Sequence, residues 1–372
     1  MQMPPVLTNR RRRGGSASAP AFSPTSLFSS GSQGIWLDPS DLSTMFSDRA
    51  GTIQITAPGT VVGRRLDKSG RGNHATAPTD AARPIYGIEP KTGRRNLLLA
   101  TDTLATQSLT VTAVAHTLAF TGTGTVTLSG ASIAGPLIGT GAGNRVSLTF
   151  TPTAASLTLT VVGSVTLGQL ELGSTATAYQ KVVTAYEVTE SGVPTTHYVQ
   201  YDGSDDSMST AAINFTATDK MSVFAGVLKS SNALTAMLFE ISTTLANGSL
   251  NLIVPQTTAT GAMRANSRGT VTAIVNGPSQ AAPAYFLATI QSDIAGDNLL
   301  LRLDGTQVAQ ATTDQGTGNF GNHALFFGRR NNTTLPFNGR DYGLIVVGKA
   351  ASAGEITDTE TWLAARTSGV TI

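Results

Sequence analysis

Cysteine is absent from all 372 residues of the chain. This absence excludes disulfide bonds, cysteine-ligated zinc and catalysis by a thiolate. Charged side chains are also scarce, at 13% of residues, and the formal net charge is only +2. With so small a net charge, no long-range field favours binding to nucleic acid or to a membrane surface.

Long apolar segments are missing too. No apolar run approaches the ~18–20 residues that a membrane span requires. Four arginines, Arg10 to Arg13, lie near the N-terminus, but no apolar segment follows them, so the pattern predicts that no signal peptide is present. We expect such a protein, if it works outside the cell, to leave by another route such as lysis.

The chain does contain abundant glycine and threonine, and many alternating apolar residues. Glycine occurs 39 times, apolar residues make up 40% of the chain, and aromatic residues only 6%. Apolar–polar alternation is typical of half-buried strands, and glycine-rich stretches between them indicate turns. The composition therefore predicts an all-β sandwich rather than a disordered chain.

The N-terminal segment, residues 1–33, is rich in proline, serine, alanine and glycine. Such a segment buries too little apolar surface to offset its ordering entropy, so we predict a flexible arm. The arm is expected to dock on a larger assembly, with nucleic acid binding through the arginines as the weaker alternative. Order is expected to begin near Gly34. Asp38, Pro39 and Asp41 are interpreted as the N-cap, the first helical residue and an acid in the first turn of a short helix through Leu42, Met45 and Phe46.

Two turn-rich segments organise the rest of the chain. The first runs from Leu66 to Ala75 and reads LDKSGRGNHA, and the second runs from Tyr201 to Met208 and reads YDGSDDSM. Between them, several alternating segments from 118 to 161 predict strands of a separate unit. That unit is preceded by TGRRNLL at 92–98 and closed by LELGSTATAYQ at 170–180.

The two turn segments resemble signatures of concanavalin A-like (laminin-G-like) jelly-roll domains. The first is similar to D-x-S-G-x-G-N-H, with Arg71 in place of the usual asparagine, and the second to F-D-G-x-D-D, with Tyr201 in place of phenylalanine. The flanking segments at 92–98 and 170–180 resemble those of carbohydrate-binding-module-like sandwiches in phage structural proteins.

The spacing of the signatures departs from that of the family. His74 and Tyr201 are 127 positions apart, and removing 94–181 would reduce this to 39, which is near the family's spacing. The resemblance therefore implies a jelly roll built from 34–93 and 182–372 and interrupted by a second, smaller β-sandwich at 94–181. Insertion at an exposed loop costs little stability.

The C-terminal part predicts a hairpin and a helix. Asp304-Gly305 lies between two strand-like segments and is a hairpin signal. Ser352 and Glu355 form a capping box. The expected buried stripe and the expected stop of the helix comprise Ile356, Thr359, Trp362, Leu363 and Gly369.

Several patterns match known chemical motifs in spacing alone. Gly316–Gly321 fits G-x-G-x-x-G and Gly343–Lys349 fits the spacing of a phosphate loop, but the first leads into a predicted strand and the second is itself one. The histidines, which lack metal-ligand spacing, are His74, His116, His197 and His323. No catalytic residue and no cofactor is predicted.

The acidic residues offer two further interpretations. The E-x-D-x-x-E strand of glycoside hydrolases with this fold is missing, and the acidic residues of the C-terminal helix are expected to offset its dipole. Asp202, Asp205 and Asp206 are interpreted as an aspartate turn, with a calcium site as the alternative. The helix residues are Glu355, Asp358 and Glu360.

The aromatic residues available to stack on sugars are Trp36, Tyr86, Tyr179, Tyr201, Tyr285 and Tyr342.

The order of the motifs resembles that of virion fibre or appendage proteins of tailed bacteriophages. The resemblance implies a non-enzymatic tail-fibre, head-fibre or decoration protein, located in the virion and displaying its sandwiches to host-surface glycans. The implied partners are other virion proteins, through the arm, and copies of the chain itself, with a trimer favoured. No membrane insertion is expected. Two alternatives stay open, a glycan depolymerase and an architectural capsid or neck component.

Overall fold

The computed structural model describes residues 22–372, which are almost entirely β-strand. None of the helices in this range is long and apolar enough to cross a bilayer. The chain starts with a 3-10 helix at Pro24–Phe28 and has a second one at Leu42–Thr44. The strands of this first part are β1 (Gly34–Leu37), β2 (Met45–Phe46), β3 (Arg64–Arg65), β4 (Ala75–Thr76) and β5 (Ile85–Pro90).

The next seven strands form a small sandwich of two sheets, in the orders β10-β7-β12 and β6-β11-β8-β9. Alternating leucine and valine side chains from both sheets, among them Leu118, Leu157 and Leu159, form a core separate from that of the rest of the chain. The strands are β6 (Gln107–Thr110), β7 (His116–Gly122), β8 (Thr125–Gly130), β9 (Leu137–Ile138), β10 (Gly141–Phe150), β11 (Ser156–Val162) and β12 (Val165–Leu172).

The remaining strands return to the first part of the chain, and one α-helix, α1 (Ala353–Ala364), closes it. The strands are β13 (Gln180–Thr184), β14 (Glu187–Glu190), β15 (Thr195–Asp202), β16 (Met208–Asn214), β17 (Lys220–Lys229), β18 (Met237–Ile241), β19 (Ser249–Ile253), β20 (Arg264–Arg268), β21 (Thr272–Asn276), β22 (Ala284–Asp293), β23 (Asn298–Leu303), β24 (Thr306–Ala311), β25 (Asn322–Phe327) and β26 (Asn338–Val347).

A large sandwich results, with its main core between two long sheets. The first sheet has the order β13-β14-β5-β15-β26-β17-β22-β23-β24, with β1 also paired to β26. The second sheet has the order β2-β3-β4-β16-β25-β18-β19-β20-β21. Strands from both sides of 94–181 pair with each other in each sheet. The predicted all-β sandwich is confirmed.

Neighbouring arginines of β3 show how the strand period sets the two faces of the second sheet. Side chains alternate between faces along a strand. Arg65 points inward, is 1% exposed, and pairs with Asp341 of the first sheet at 2.5 Å. Arg64, one position earlier, points to the outer face. This buried ion pair therefore links the two sheets. Removing either partner would leave an uncompensated buried charge.

Ordered structure begins earlier than the sequence predicted. Residues Pro24–Phe28 already form a helical turn, and the side chains of Leu27 and Phe28 are buried against a cluster that includes Trp36. The onset expected near Gly34 is therefore wrong by about ten positions. The run Arg10 to Arg13 lies outside the described residues.

The short helix expected from an N-cap at Asp38 through Leu42, Met45 and Phe46 is also wrong. Asp41 caps a single 3-10 turn by accepting a hydrogen bond from the Ser43 amide, and the chain then becomes extended. Met45 and Phe46 pair in β2 with Arg65 and Arg64 of β3. This pairing satisfies backbone groups that an isolated helix of so few residues would leave to solvent, so tertiary context overrides the local signal.

The hairpin and the capping box predicted in the C-terminal part are confirmed. Asp304 and Gly305 have φ values of 47° and 78° and join β23 to β24 as a two-residue hairpin. In the capping box, the Glu355 amide donates to Ser352 Oγ at 3.3 Å and the Ser352 amide donates to Glu355 Oε2 at 2.9 Å. The stop expected at Gly369 is wrong by five positions, because the helix ends at Ala364.

Candidate functional site

The outer face of the first sheet is largely covered. The N-terminal 3-10 helix and α1 bury an apolar cluster against β1, β17, β22 and β26, and Trp36 meets Trp362 edge to face at 5.6 Å between ring centroids. Strand β17 is buried on both faces for this reason. The second sheet is likewise buried on both faces at β18 and β19, and its outer face is open at β3, β4 and β16.

Both turn signatures lead into adjacent strands of that second sheet. β4 follows directly after His74, and β16 starts with Met208 at the end of YDGSDDSM. In the sheet, Arg64 pairs with Thr76, and Thr76 pairs with Ser209. Segments more than 120 positions apart in the sequence are thus brought side by side on one surface.

Asp67 organises the first turn signature. Its carboxylate accepts hydrogen bonds from the amides of Trp36, Ser69 and Asn73 at 2.9, 2.8 and 3.0 Å. Its own amide donates to Nδ1 of His74 at 3.0 Å. Because Nδ1 accepts this bond, the proton of the neutral imidazole is on Nε2. The signature is a rigid turn that also fixes the orientation of His74.

Beside this turn lies an open groove of about 440 Å³. Two arginines contribute to it from the strand and loop next to β4: Arg49 Nε donates to the carbonyl of Ala77 at 2.8 Å, and Arg64 Nη1 donates to the carbonyl of Ala50 at 3.3 Å. The described lining contains no carboxylate and consists of Arg49, Arg64, Gly72, Asn73, His74, Thr76, Ala77, Pro78, Ser209, Thr210 and Ala211.

Further arginines lie on the second sheet away from the groove. Arg264 and Arg268 lie at the two ends of β20, and Arg330 pairs with Glu240 of β18 at 2.8 Å. Glu240 is fully buried, and its carboxylate also accepts from Asn251 Nδ2 at 3.1 Å, so its charge is compensated within the protein.

The three aspartates of YDGSDDSM do lie together, since their carboxylate oxygens fall within 4.8 Å of one another. Asp206 Oδ2 accepts from the Asp202 amide at 2.9 Å, and Asp202 Oδ1 accepts from the Ser204 amide at 2.7 Å. Burial, together with the charges of Asp202 and Asp205, raises the pKa of Asp206 to about 7. These bonds are those of an aspartate turn, and calcium binding stays an untested alternative.

The other acidic candidates have structural roles. Glu355 belongs to the capping box and pairs with Lys349 at 2.6 Å, while Asp358 is exposed on α1. Glu360 does not act mainly on the helix dipole as predicted: it is 2% exposed and its two oxygens accept from Arg302 at 2.8 and 3.0 Å. It therefore holds α1 against β23.

The remaining histidines lie on separate elements. In the small sandwich, His116 Nδ1 is 2.8 Å from the Val114 carbonyl. On β15, His197 Nδ1 is 2.7 Å from the hydroxyl of Tyr86, which belongs to β5. On β25, His323 Nε2 is 3.0 Å from the Asn247 carbonyl. Within residues 22–372, the aspartate trio alone groups three side chains in an arrangement suited to a metal ion.

No aromatic side chain is fully presented to solvent. All the tryptophans, tyrosines and phenylalanines lie in residues 22–372, and each is buried or half-buried. Trp36, Tyr86, Tyr201 and Tyr342 are at most 6% exposed. The sequence left open which of these rings are exposed, and their burial does not favour stacking of a sugar on any of the four.

The segments flanking the small sandwich form one buried hydrogen-bond network. The Asn96 side chain donates to the carbonyls of Gly168 and Gln180, each at 2.9 Å, and accepts from the amides of Leu98 and Leu170, each at 3.2 Å. Arg95 pairs with Glu190 at 2.6 Å. The motif residues at 92–98 and 170–180 thus fasten the small sandwich to the first sheet and do not form a ligand site.

Sequence reasoning missed Arg49 and Arg64. They come from a loop and from a two-residue strand, and neither belongs to a motif. The available signal was the Arg64-Arg65 doublet before the first turn signature, since strand alternation places one of the two outside and one inside.

Comparisons with known proteins give limited likeness. No protein-family model matches the sequence, and no curated protein sequence matches it. Among solved structures, the CBM40 domain of the Ruminococcus gnavus IT-sialidase is 16% identical, covers 39% of this chain and 84% of its own, and has a TM-score of 0.32.

Two botulinum neurotoxin domains are similarly distant. The serotype D/C (VPI 5993) binding domain is 11% identical, with coverage of 45% of this chain and 43% of its own and a TM-score of 0.35. The serotype G binding domain is 12% identical, with coverage of 45% and 42% and a TM-score of 0.36. This chain therefore spans less than half the length of either neurotoxin domain.

Proposed function

We propose that the protein is a non-enzymatic appendage of a bacteriophage virion that binds glycan on the host surface through the groove between Arg49, Arg64 and His74. One observation supports this most directly: the first turn signature and the strand that follows the second one, both of which resemble parts of concanavalin A-like jelly-roll domains, line this groove together. Its volume of about 440 Å³ is within the ~300–1,000 Å³ common for small-ligand sites.

The chemistry of the groove favours binding over hydrolysis. A glycosidase needs two carboxyl groups, about 5–9.5 Å apart, on either side of the scissile bond. The described lining of the groove has hydroxyl, amide, imidazole and guanidinium groups instead. Elsewhere, the buried Glu89 is held by Arg340 at 2.5 Å and by the hydroxyl of Tyr342, so it is paired and not free to act on a substrate.

The remaining parts of the proposal follow the sequence resemblance. The N-terminal arm attaches the protein to other virion proteins, the sandwiches are displayed outward, and copies of the chain associate, with a trimer favoured. The chain becomes extracellular when the host is lysed. The oligomer is tested by light scattering of the purified protein, and virion attachment by whether deleting residues 1–21 removes the protein from purified particles.

The glycan function is tested with purified full-length protein and the cell-surface polysaccharide of a host strain immobilised on a sensor. We expect reversible binding and no release of oligosaccharides during prolonged incubation. Release of oligosaccharides would show a depolymerase instead. Absence of binding to whole host cells and to isolated polysaccharide would refute the glycan function and leave the architectural alternative.

A further inference from the structure

We propose that the groove recognises an anionic oxygen group, a carboxylate or a phosphate, carried by a sugar of the host-surface glycan. This inference rests on the proposed glycan function and adds the chemical class of the ligand. It is derived from the donors and acceptors that line the groove, from the fixed tautomer of His74, and from the unused donors of two arginines.

The arginines have donors to spare. Arg49 uses Nε on the carbonyl of Ala77, which leaves both of its terminal nitrogens available. Arg64 uses Nη1 on the carbonyl of Ala50 and its Nε is buried, but its Nη2 has no acceptor in the described part of the chain. Both guanidinium groups are thus held by neutral backbone carbonyls and not by carboxylates. Their positive charges stay uncompensated at the groove.

The neutral lining groups also favour an acceptor. The hydrogen bond from the Asp67 amide places the His74 proton on Nε2, so the ring can donate to a ligand. The Ser209 hydroxyl accepts from Asn332 Nδ2 at 3.0 Å, which leaves its own proton free to donate. Asn73 donates its side-chain amide to the carbonyl of Gly34 at 2.6 Å, and that bond orients the turn.

A ligand that matches these groups must carry several acceptor oxygens and a negative charge. Guanidinium groups bind carboxylates and phosphates with paired, charge-assisted hydrogen bonds, which neutral hydroxyls cannot match. A neutral sugar could bond to the hydroxyl and amide oxygens of the described lining, but it would leave both guanidinium charges without an anionic partner. The groove is therefore suited to acidic sugars such as uronic acids, or to sugar phosphates.

The experiment uses full-length protein and isothermal titration calorimetry with three probes: a glucuronate-containing tetrasaccharide, a neutral glucose tetrasaccharide, and inorganic phosphate. The test variants are Arg64→Gln and Arg49→Gln. The control is Arg264→Gln, which removes an arginine from the same sheet face outside the groove, where its Nε donates to Asn276 at 2.9 Å. All variants are first compared with the parent by thermal unfolding.

We expect the acidic tetrasaccharide to bind about 10- to 100-fold more tightly than the neutral one, because charge-assisted hydrogen bonds differ from neutral ones by that order. Arg64→Gln and Arg49→Gln should remove most of this preference, and Arg264→Gln should keep it. Because Arg49 is exposed, its variant remains informative if Arg64→Gln fails to fold. Raising the salt concentration should weaken binding of the acidic probe most.

The outcomes separate the two proposals. Equal affinity for acidic and neutral tetrasaccharides, or an acidic preference unchanged in both groove variants, overturns the anionic-ligand inference and leaves glycan binding intact. Binding of phosphate that Arg49→Gln abolishes, without binding of any glycan, retains the anion site and overturns the glycan function. Binding of none of the probes overturns the inference, and binding to host polysaccharide then decides the function separately.

Discussion

The small sandwich should unfold separately from the large one, and Leu118→Ala tests this. Leu118 is at the centre of β7, is 0% exposed, and pairs with Leu148 of β10 and Leu170 of β12. Truncating a fully buried leucine to alanine removes buried apolar surface and leaves a cavity, at a cost of about 3–4 kcal/mol. Since the small core is separate from the large one, this loss should fall on the small sandwich alone.

The two tryptophans provide the assay. Trp36 and Trp362 both lie in the apolar cluster on the first sheet of the large sandwich. Tryptophan fluorescence therefore reports on the large sandwich, whereas far-ultraviolet circular dichroism reports on both. In a urea titration, Leu118→Ala should add a dichroism transition at a lower urea concentration than in the parent protein and leave the fluorescence midpoint unchanged.

Leu301→Ala is the matched control. Leu301 is also 0% exposed and belongs to the large core, so its truncation should lower the fluorescence midpoint. If Leu118→Ala lowers the fluorescence midpoint as much as the dichroism midpoint, the two sandwiches unfold as one cooperative unit. The reasoning from separate cores would then be refuted.

Two further predictions concern single polar side chains. Asn96→Ala should lower the free energy of unfolding of the small sandwich by about 2–4 kcal/mol, because it leaves buried amides and carbonyls without partners; an unchanged dichroism midpoint would contradict this. Asp206 has a folded-state pKa of about 7, above its ordinary value of 3.8. The protonated Asp206 therefore makes its full contribution to the free energy of unfolding below about pH 4, and this contribution is lost as pH rises towards 7. Asp206→Asn should flatten the pH dependence of unfolding in this window, measured with a chelator present, and an unaltered profile would refute the assignment.

Much of the sandwich could be predicted because its turns carry strong local signals. Asp304-Gly305 fixes a hairpin through its left-handed backbone, and Ser352 with Glu355 fixes a helix start. These signals depend on neighbours in sequence. The segment after Asp41 carried an equally local helix signal, but pairing of Met45 with Arg65 decided its conformation, and no local pattern records that pairing.

The candidate groove could not be predicted from the sequence for the same reason. His74 was recognisable as part of a turn signature, but its role depends on which strand lies beside β4. Arg49 and Arg64 meet at the groove because β2 and β3 pair and the loop between them folds back. The net charge of +2 says nothing about where the arginines lie, so it could not indicate that Arg49 and Arg64 meet at one groove.

The junction of the small sandwich determines how the protein would respond to a pulling force. The chain leaves the first sheet after β5 and returns through β13, and Gln180 Nε2 donates a hydrogen bond to the Gly93 carbonyl at 3.0 Å. A force applied to the small sandwich therefore enters the first sheet where these two crossings lie side by side. The N-terminal segment enters the same sheet through β1, which pairs with β26. Tension between the two passes through the ladders β5–β15, β15–β26 and β26–β1. The mechanical strength of the link is then set by these three ladders in series, and the hydrophobic core contributes to it only indirectly.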